Sequence, residues 1–389
     1  MNKETKTQKE MKNKKMKFAV KCIKDFEEIA AKEAKDLISV SPELGESYIF
    51  FDATIEKIAK YVYLAQSPRI VLNLLMKSDE RKSEGNSEKE IMSKIEKSDF
   101  SFIDGSFAVR CSKHSLEREI GSLIYKQLDK PIVSMESPDY PLYLDILDRS
   151  YVLGINITDM ELDKRGYKIF SHPSSIKGTL GYSLVAISGY KGKGLFLDPC
   201  AGSGTICAEA AYSATKFPIR FFEKEKLFSS KFFTKFLDED SSEDQYLNKL
   251  EKTKNIDPKS INIRAYDVDL QSVNAMKKNF KIGGIENNIS VGRGDIDWLE
   301  TKFKENSVDF IVTNPPSYTK FTEKKIDKFY NKFFYQTEFI LSKEGKMVIL
   351  TNSLKPIEIA KKYKLDGNIE KTSSKGDMKR NIISFRKIK

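Results

Sequence analysis

A rigid turn after an apolar run is the feature of this sequence with the clearest chemical use. Asn314, Pro315 and Pro316 come directly after residues 308–312, a run with β-strand character. The turn would fix the Asn314 side-chain carbonyl and the Pro315 backbone carbonyl in space. Two acceptors so placed bind the hydrogens of an exocyclic amino group and direct its lone pair at an electrophilic methyl group. The alternative is an ordinary strand-ending turn, because Asn-Pro is a common turn dipeptide.

A glycine turn lies upstream of this motif. Residues 195–198 read as a short buried strand, and residues 199–211 read as a glycine turn that leads into a helix. This order is the first crossover of a nucleotide-binding α/β sheet, where Gly202 and Gly204 let a ligand approach the backbone. The third glycine of the dinucleotide fingerprint and the Gly-Lys-Ser/Thr of a P-loop are missing, which argues against NAD and ATP. The alternative is a tight turn between strand and helix, since Gly-x-Gly alone is a weak signal.

Two aspartates follow the next two predicted strands. Asp267 comes after residues 261–266, and Asp295 comes two residues after the run 289–293. Asp267 could accept both hydroxyls of a ribose, and Asp295 could accept from an adenine amino group. Each aspartate alone is more typical of a helix cap or a turn. Together with Asp198 and Asn314, however, they close successive strands of one sheet, and such sheets bind ligands at that edge.

This ordered set resembles the class I S-adenosylmethionine-dependent methyltransferases that modify amino groups. The string LDPCAGSGTICAEAA, residues 197–211, is similar to the first motif of the RNA guanine-N2 methyltransferases that carry a THUMP domain. Residues 164–167 (KRGY) resemble the motif that closes the THUMP segment, and residues 107–110 and 137–140 resemble its earlier landmarks. Residues 172–180 (HPSSIKGTL) resemble the entry to the methyltransferase domain, in the form found in archaeal and bacterial tRNA enzymes. The resemblance covers roughly residues 16–389.

The resemblance implies S-adenosylmethionine as the cofactor, no metal, and methylation of the exocyclic N2 of a guanosine in the acceptor stem of tRNA. It places catalysis at Asn314, Pro315 and Pro316. The implied cofactor-binding residues are Asp198, Ala201, Gly202, Ser203, Gly204, Thr205, Asp267, Val268, Asp295, Ile296 and Asn314. The alternatives are guanine-N2 methylation of ribosomal RNA, adenine-N6 methylation, and an RNA-binding protein whose cofactor site has decayed.

The residue after the two prolines departs from the family pattern. The family has an aromatic residue there, followed by glycine, whereas this chain has Ser317 and then Tyr318. The aromatic ring stacks on the extruded base, which offsets part of the cost of unstacking that base. Ser317 cannot stack, so Tyr318 or Phe321 would have to swing in, or the base is held differently.

The predicted fold class is α/β, with a Rossmann-like class I methyltransferase sheet preceded by α+β domains. Residues 1–15 read as a basic disordered arm, residues 16–68 as a ferredoxin-like domain and residues 69–167 as a THUMP RNA-binding domain. Residues 171–389 read as the methyltransferase domain, with an insertion at about 217–258. The insertion is either a helical segment near the site that contacts RNA or a solvated surface excursion.

The end of the chain predicts an antiparallel hairpin. Residues 368–372 and 380–386 have strand character and are joined by seven residues, 373–379. This connection is too short for a parallel crossover, so the two strands must pair antiparallel. A terminal antiparallel hairpin on a parallel sheet distinguishes a class I methyltransferase from a plain dinucleotide-binding fold.

Composition favours a polyanionic partner. The 389 residues carry a formal net charge of +11 and have a pI of about 9.1, as expected for phosphate contacts to tRNA or ribosomal RNA. Lysine richness also occurs in low-GC or thermophilic proteomes, which is the alternative explanation. The candidate phosphate contacts are Lys113, His114, Arg118 and Lys126.

Several other classes of protein do not fit this sequence. No apolar stretch is long enough for a membrane span, and the lysine-rich amino end is unlike a signal peptide. The four cysteines form no Cys-x-x-Cys pair and, with two histidines, predict no zinc site. We therefore expect a cytoplasmic protein, as a monomer or weak dimer.

Overall fold

This computed structural model describes residues 14–78, 88–158, 160–171, 175–228, 261–319, 321–375 and 378–388. The chain forms two compact units: residues 1–162 with 223–253, and residues 163–222 with 254–389. Most of the predicted basic arm, most of the predicted insertion and the start of the HPSSIKGTL string lie outside the described residues.

The amino-terminal unit is built on one eight-stranded mixed sheet. Its strands are β1 (Met16–Lys21), β2 (Glu43–Gly45), β3 (Tyr48–Ala53), β4 (Ile70–Lys77), β5 (Ser106–Cys111), β6 (Ile132–Val133), β7 (Tyr140–Ile146) and β8 (Tyr151–Asn156). Its α-helices are α1 (Glu27–Ile38), α2 (Ile55–Leu64), α3 (Glu88–Glu96) and α4 (Glu117–Tyr125). The strand order is β2-β3-β1-β4-β8-β7-β5-β6.

Strand β4 joins the two halves of this sheet. It pairs antiparallel with β1 on one side and with β8 on the other. Strands from the predicted segments 16–68 and 69–167 therefore share a single sheet. The ferredoxin-like and THUMP assignments of these segments stay predictions.

The carboxyl-terminal unit contains a seven-stranded sheet flanked by helices. Its strands are β9 (Leu195–Asp198), β10 (Asn262–Asp267), β11 (Ile289–Arg293), β12 (Val308–Thr313), β13 (Leu341–Thr351), β14 (Leu365–Lys375) and β15 (Met378–Lys387). Its α-helices are α5 (Gly178–Ser188), α6 (Thr205–Thr215), α7 (Leu270–Ile282), α8 (Leu299–Lys302), α9 (Glu323–Ile340) and α10 (Lys355–Ala360).

The order of this second sheet is β11-β10-β9-β12-β13-β15-β14. Strands β9 to β13 are mutually parallel, whereas β15 pairs antiparallel with both β13 and β14. The predicted α/β sheet with a terminal antiparallel hairpin is therefore confirmed. Central parallel strands are covered on both faces, which is why β9 and β12 appear in the sequence as apolar runs. The order reverses between β9 and β12, and α/β sheets bind ligands at such a point.

A buried ion pair fixes helix α6 to the segment that begins this unit. The Arg165 guanidinium donates to both carboxylate oxygens of Glu209 on α6, at 2.9 and 3.2 Å, and the Tyr167 hydroxyl donates to the same group at 2.8 Å. Glu209 is fully buried, and a Cβ on Gly178 would lie 2.5 Å from Arg165 Nε. The KRGY motif thus contributes contacts inside this unit. Removing one partner of such a buried pair would leave an uncompensated charge.

Candidate active site

A cavity of about 830 Å³ lies at the carboxyl ends of the parallel strands of the carboxyl-terminal unit. This volume is within the range of small-molecule and cofactor sites. The cavity is lined by Ser175, Ile176, Pro199, Cys200, Gly202, Asp267, Val268, Asp269, Ser272, Gly294, Asp295, Ile296, Asn314, Pro315, Pro316, Ser317, Tyr318, Thr319, Phe329, Leu350, Thr351, Asn352 and Arg380.

The two glycines of the first turn are required for different reasons. Gly202 has a φ of +54°, and a Cβ there would meet nothing within 4 Å, so its backbone faces open space at the cavity. Gly204 has a φ of +86°, and a Cβ there would lie 2.5 Å from the ring of Phe280. Gly202 therefore leaves room for a ligand, whereas Gly204 allows helix α6 to begin close to α7.

Asp267 ties the end of strand β10 to the glycine turn. Its Oδ2 accepts from the Gly202 backbone N–H at 2.9 Å, and its Oδ1 accepts from the Asp269 N–H at 2.9 Å. A carboxylate offers about four lone-pair sites, so two remain for a ligand. Asp267 is only half-buried and lines the cavity, which leaves it open to a hydroxyl-bearing ligand.

Asp198 closes strand β9 but lies beneath the cavity. It is fully buried, its Oδ1 accepts from the Cys200 N–H at 3.2 Å, and its Oδ2 has no hydrogen-bond partner among the described residues. Burial, with a further contribution from the negative charge on Asp267, raises the pKa of the Asp198 carboxyl to about 7. Asp198 therefore shapes the glycine turn from below.

Two more acidic side chains and one apolar side chain line the cavity on the same side as Asp267. Asp269, which is not among the predicted site residues, caps helix α7 by accepting from the Ser272 N–H at 2.9 Å. Asp295 is exposed and accepts from the Asp297 N–H at 3.1 Å. Val268 is 56% exposed beside these carboxylates. The acidic groups favour a polar, cationic ligand. The apolar side chain between them favours a ligand that also has one flat face.

The Asn314 turn forms the wall across from the carboxylates. Asn314 is half-buried and Pro315 is buried, and both line the cavity together with Ser317. Strand β12, which delivers the turn, pairs with β9 through Ile311 and Leu197 in the middle of the sheet. The turn is therefore held by the most buried part of the unit.

Tyr318 lines the cavity, and its ring and backbone are held by contacts within the same unit. Its ring stacks on Tyr330 at 5.7 Å and 6°, its hydroxyl donates to Asp327 at 2.9 Å, and its backbone exchanges two hydrogen bonds with the Asn352 side chain. Burial and the bond to Asp327 raise the pKa of the Tyr318 phenol. Releasing this ring would cost about 2–4 kcal/mol in lost stacking and hydrogen bonding. Phe321, by contrast, is 98% exposed.

The structure brings most of the predicted site residues to one cavity and places the others beneath it. Those that line it are Gly202, Asp267, Val268, Asp295, Ile296, Asn314, Pro315 and Pro316. Those that are buried and do not line it are Asp198, Ala201, Ser203, Gly204 and Thr205. The lining residues that the sequence did not predict include Ser175, Asp269, Ser272, Asn352 and Arg380.

Among the described residues, no group of three or more histidine, cysteine, aspartate or glutamate side chains could hold a metal ion. In the same part of the chain, no helix is both long and apolar enough to cross a membrane.

The raised pKa of Asp198 predicts a specific dependence of stability on pH. Between about pH 4 and pH 7 the unfolded chain ionises this carboxyl while the folded chain keeps the proton, so stability is lost as pH rises. Asp198→Asn does not titrate, so its free energy of unfolding should rise relative to wild type by about 2–4 kcal/mol between about pH 4 and pH 8. Urea unfolding at both pH values measures this difference. If the free energies of unfolding of the variant and wild type differ by the same amount at both pH values, Asp198 has an ordinary pKa.

Comparison with known proteins relates this site to a family. The family model described as UPF0020, RMKL-like, methyltransferase domain, matches residues 165–378, more than half of the chain. The tRNA (guanine(6)-N2)-methyltransferase of Methanocaldococcus jannaschii is 30% identical over 263 residues, which cover 63% of this chain and 66% of that protein. The protein of the same name from Archaeoglobus fulgidus is 23% identical over 348 residues, which cover 84% of this chain and 80% of that protein.

A solved structure shares the fold. The crystal structure of SMU.472 complexed with SAH aligns with a TM-score of 0.77 at 19% identity, over 97% of this chain and 99% of that one. The match to the family model spans all the strands that build the cavity, from β9 to the start of β15. The chain therefore belongs to the RMKL-like methyltransferase family.

Proposed function

We propose that this methyltransferase transfers a methyl group from S-adenosylmethionine to the exocyclic N2 of a guanosine in the acceptor stem of tRNA. The observation that carries the proposal is that Asn314 and Pro315 line the same cavity as Gly202 and Asp267. A pair of carbonyl acceptors for an amino group thus shares one cavity with a turn suited to binding a nucleoside. The names of the two archaeal relatives support tRNA guanosine as the substrate.

The carboxylate half of the cavity suits S-adenosylmethionine. Asp267 has lone pairs left for the ribose hydroxyls, Val268 and Ile296 offer apolar faces for the adenine, and Asp295 is exposed for its amino group. The open space at Gly202 admits the methionine portion. Asp198 and residues 203–205 are buried beneath the cavity and hold these lining residues in position.

The Asn314 half supplies the catalytic groups. When bound, S-adenosylmethionine supplies a methyl group on a sulfonium, which is electrophilic. The guanine N2 is a weak nucleophile because its lone pair is delocalised into the ring. Asn314 Oδ1 and the Pro315 carbonyl would accept the two N2 hydrogens, fix the lone pair toward the methyl group and exclude water from it. Both groups are neutral acceptors and cannot keep the proton, so the proton that N2 loses on methylation passes to the bulk solvent outside the reacting site.

We assign stacking on the extruded guanine to Phe321, whose ring is 98% exposed. Tyr318 is anchored, and Phe321 lies two residues beyond Thr319, which lines the cavity, so the backbone separation is at most ~7 Å. The Thr322 N–H donates to the Thr319 carbonyl at 3.1 Å, so Phe321 is next to a residue that is tied to the cavity lining. Stacking on this ring would offset the cost of extruding the base.

Nucleoside mass spectrometry tests the proposed function. An unmodified tRNA transcript is incubated with the protein and methyl-labelled S-adenosylmethionine, and is then digested to nucleosides. Label is expected in N2-methylguanosine. Label in N6-methyladenosine, or label only when ribosomal RNA is supplied, would contradict the proposal in favour of those activities. Absence of cofactor binding in calorimetry would indicate a decayed site.

Asp267→Ala should weaken cofactor binding strongly. It removes the ribose acceptor and the bond to the Gly202 N–H, so the dissociation constant for S-adenosylmethionine should rise by a factor corresponding to about 2–4 kcal/mol. Calorimetry measures this constant. Asp366→Ala, which removes an exposed carboxylate on β14, is the matched control and should leave it unchanged. Equal constants for the two variants would remove Asp267 from the ribose role.

Asn314→Ala should separate catalysis from cofactor binding. Loss of a positioned acceptor typically costs ~3 kcal/mol, so methylation should slow by about 100-fold or more while cofactor affinity stays within a factor of a few. Asn314→Asp keeps the shape and the acceptor, so it should retain more activity than alanine. Single-turnover rates with saturating tRNA make the comparison, with the exposed Asn368→Ala as control. Near-normal turnover in Asn314→Ala would mean that the turn is only structural.

Phe321 variants test the stacking role. Phe321→Ala should lower kcat/KM for tRNA by about 10-fold or more, since base–aromatic stacking is worth about 1–3 kcal/mol. Phe321→Trp keeps a flat aromatic face and should retain activity, whereas Phe321→Leu keeps only apolar bulk and should not. If leucine serves as well as tryptophan in steady-state assays, Phe321 does not stack on the base.

A further inference from the structure

The terminal hairpin brings one basic side chain to the cavity. Strand β15 runs antiparallel to β13, so the amino end of β15 lies at the same sheet edge as the carboxyl end of β13. The register shows this directly, since Thr351 at the end of β13 pairs with Asn381. Arg380 immediately precedes Asn381, is half-buried and lines the cavity beside Leu350 and Thr351.

The charges along the cavity wall are segregated. Three carboxylates lie at or just after the ends of strands β10 and β11, namely Asp267, Asp269 and Asp295. Arg380 is the one lysine or arginine among the described residues that line the cavity, and it belongs to the strand beyond β12 and β13. No described carboxylate is within salt-bridge distance of its guanidinium. A half-buried guanidinium without such a partner is prepared to bind an anion.

We propose that Arg380 binds a backbone phosphate of the RNA, next to the nucleotide whose base enters the cavity. This assignment rests on the proposed function and adds a substrate contact to it. The carboxylate side fits the cationic cofactor, so the anion that Arg380 binds belongs to the second substrate. A guanidinium presents a planar fork that matches two phosphate oxygens. A phosphate held there would fix the distance from the backbone to the Asn314 turn, and hence how deeply the base enters.

The main rival ligand is the carboxylate of the methionine portion of the cofactor. The two possible ligands predict different effects of replacing Arg380. A phosphate contact affects the affinity for RNA and its dependence on salt, because each phosphate contact releases counterions. A carboxylate contact affects the affinity for S-adenosylmethionine and leaves the salt dependence of RNA binding unchanged.

The experiment compares Arg380→Gln with Arg386→Gln in the full-length protein. Arg386 lies on the same strand, is exposed and does not line the cavity, so the two variants lose the same charge about 20 Å apart. We expect Arg380→Gln to raise KM for tRNA about 10-fold and to reduce the slope of log affinity against log salt by about 0.7–0.9. Cofactor affinity should stay within about twofold. Arg380→Lys keeps the charge without the planar fork, so its KM for tRNA should lie between those of wild type and Arg380→Gln.

Each other outcome overturns the assignment. If Arg380→Gln behaves like Arg386→Gln while wild type methylates tRNA, the phosphate role is wrong and the proposed function stands. If Arg380→Gln weakens the binding of S-adenosylmethionine and leaves the affinity for tRNA unchanged, Arg380 binds the cofactor carboxylate. If wild-type protein methylates no RNA, the proposed function and this contact fail together. Arg380→Lys keeps the charge on a long side chain, so its tRNA affinity and salt dependence provide the comparison if Arg380→Gln reduces folding.

Discussion

The site depends on a geometrical constraint of parallel sheets, namely that strands running in one direction all end at one edge. In the carboxyl-terminal unit, β9, β10, β11 and β12 end together, and the order reverses between β9 and β12. At that reversal the connections leave toward opposite faces, which opens a space between the strand ends. The glycine turn after β9 and the Asn314 turn after β12 face that space because their strands are neighbours. The two turns face the same space even though they lie far apart along the chain.

A short chain of contacts makes the edge rigid. The Asp267 carboxylate joins the end of β10 to the Gly202 N–H, and Asp198 supports the same turn through the Cys200 N–H. Asn279 on helix α7 donates to the Ser203 carbonyl at 3.0 Å, and Glu209 on helix α6 is held by Arg165. Because each of these side chains is hydrogen-bonded to the backbone or to another side chain, the cavity wall is formed before a ligand arrives. Such preorganisation is what a transfer reaction that relies on positioning requires.

Much of this site could be predicted from the sequence, because its signals are local. Strands β9 and β12 are apolar runs, and each of the strands from β9 to β12 ends at or next to a residue to which the sequence assigned a possible chemical role. Strand β4 was not predicted because its sequence IVLNLLMK lacks strict alternation and it has neighbours on both sides. Arg380 and the pairing of Asn352 with Tyr318 could not be found locally, since both depend on contacts between distant segments. The same is true of Tyr318, whose ring is fixed by Tyr330 and Asp327.

A crystal structure of the protein with S-adenosylhomocysteine and a guanosine nucleotide would test the central claim most directly. The claim is that one cavity holds the cofactor on its carboxylate side and a purine amino group on its Asn314 side. We predict ribose hydroxyls at hydrogen-bond distance from Asp267, and the guanine N2 about 3 Å from Asn314 Oδ1. A cofactor bound outside this cavity, or a guanine whose amino group points away from Asn314, would contradict it.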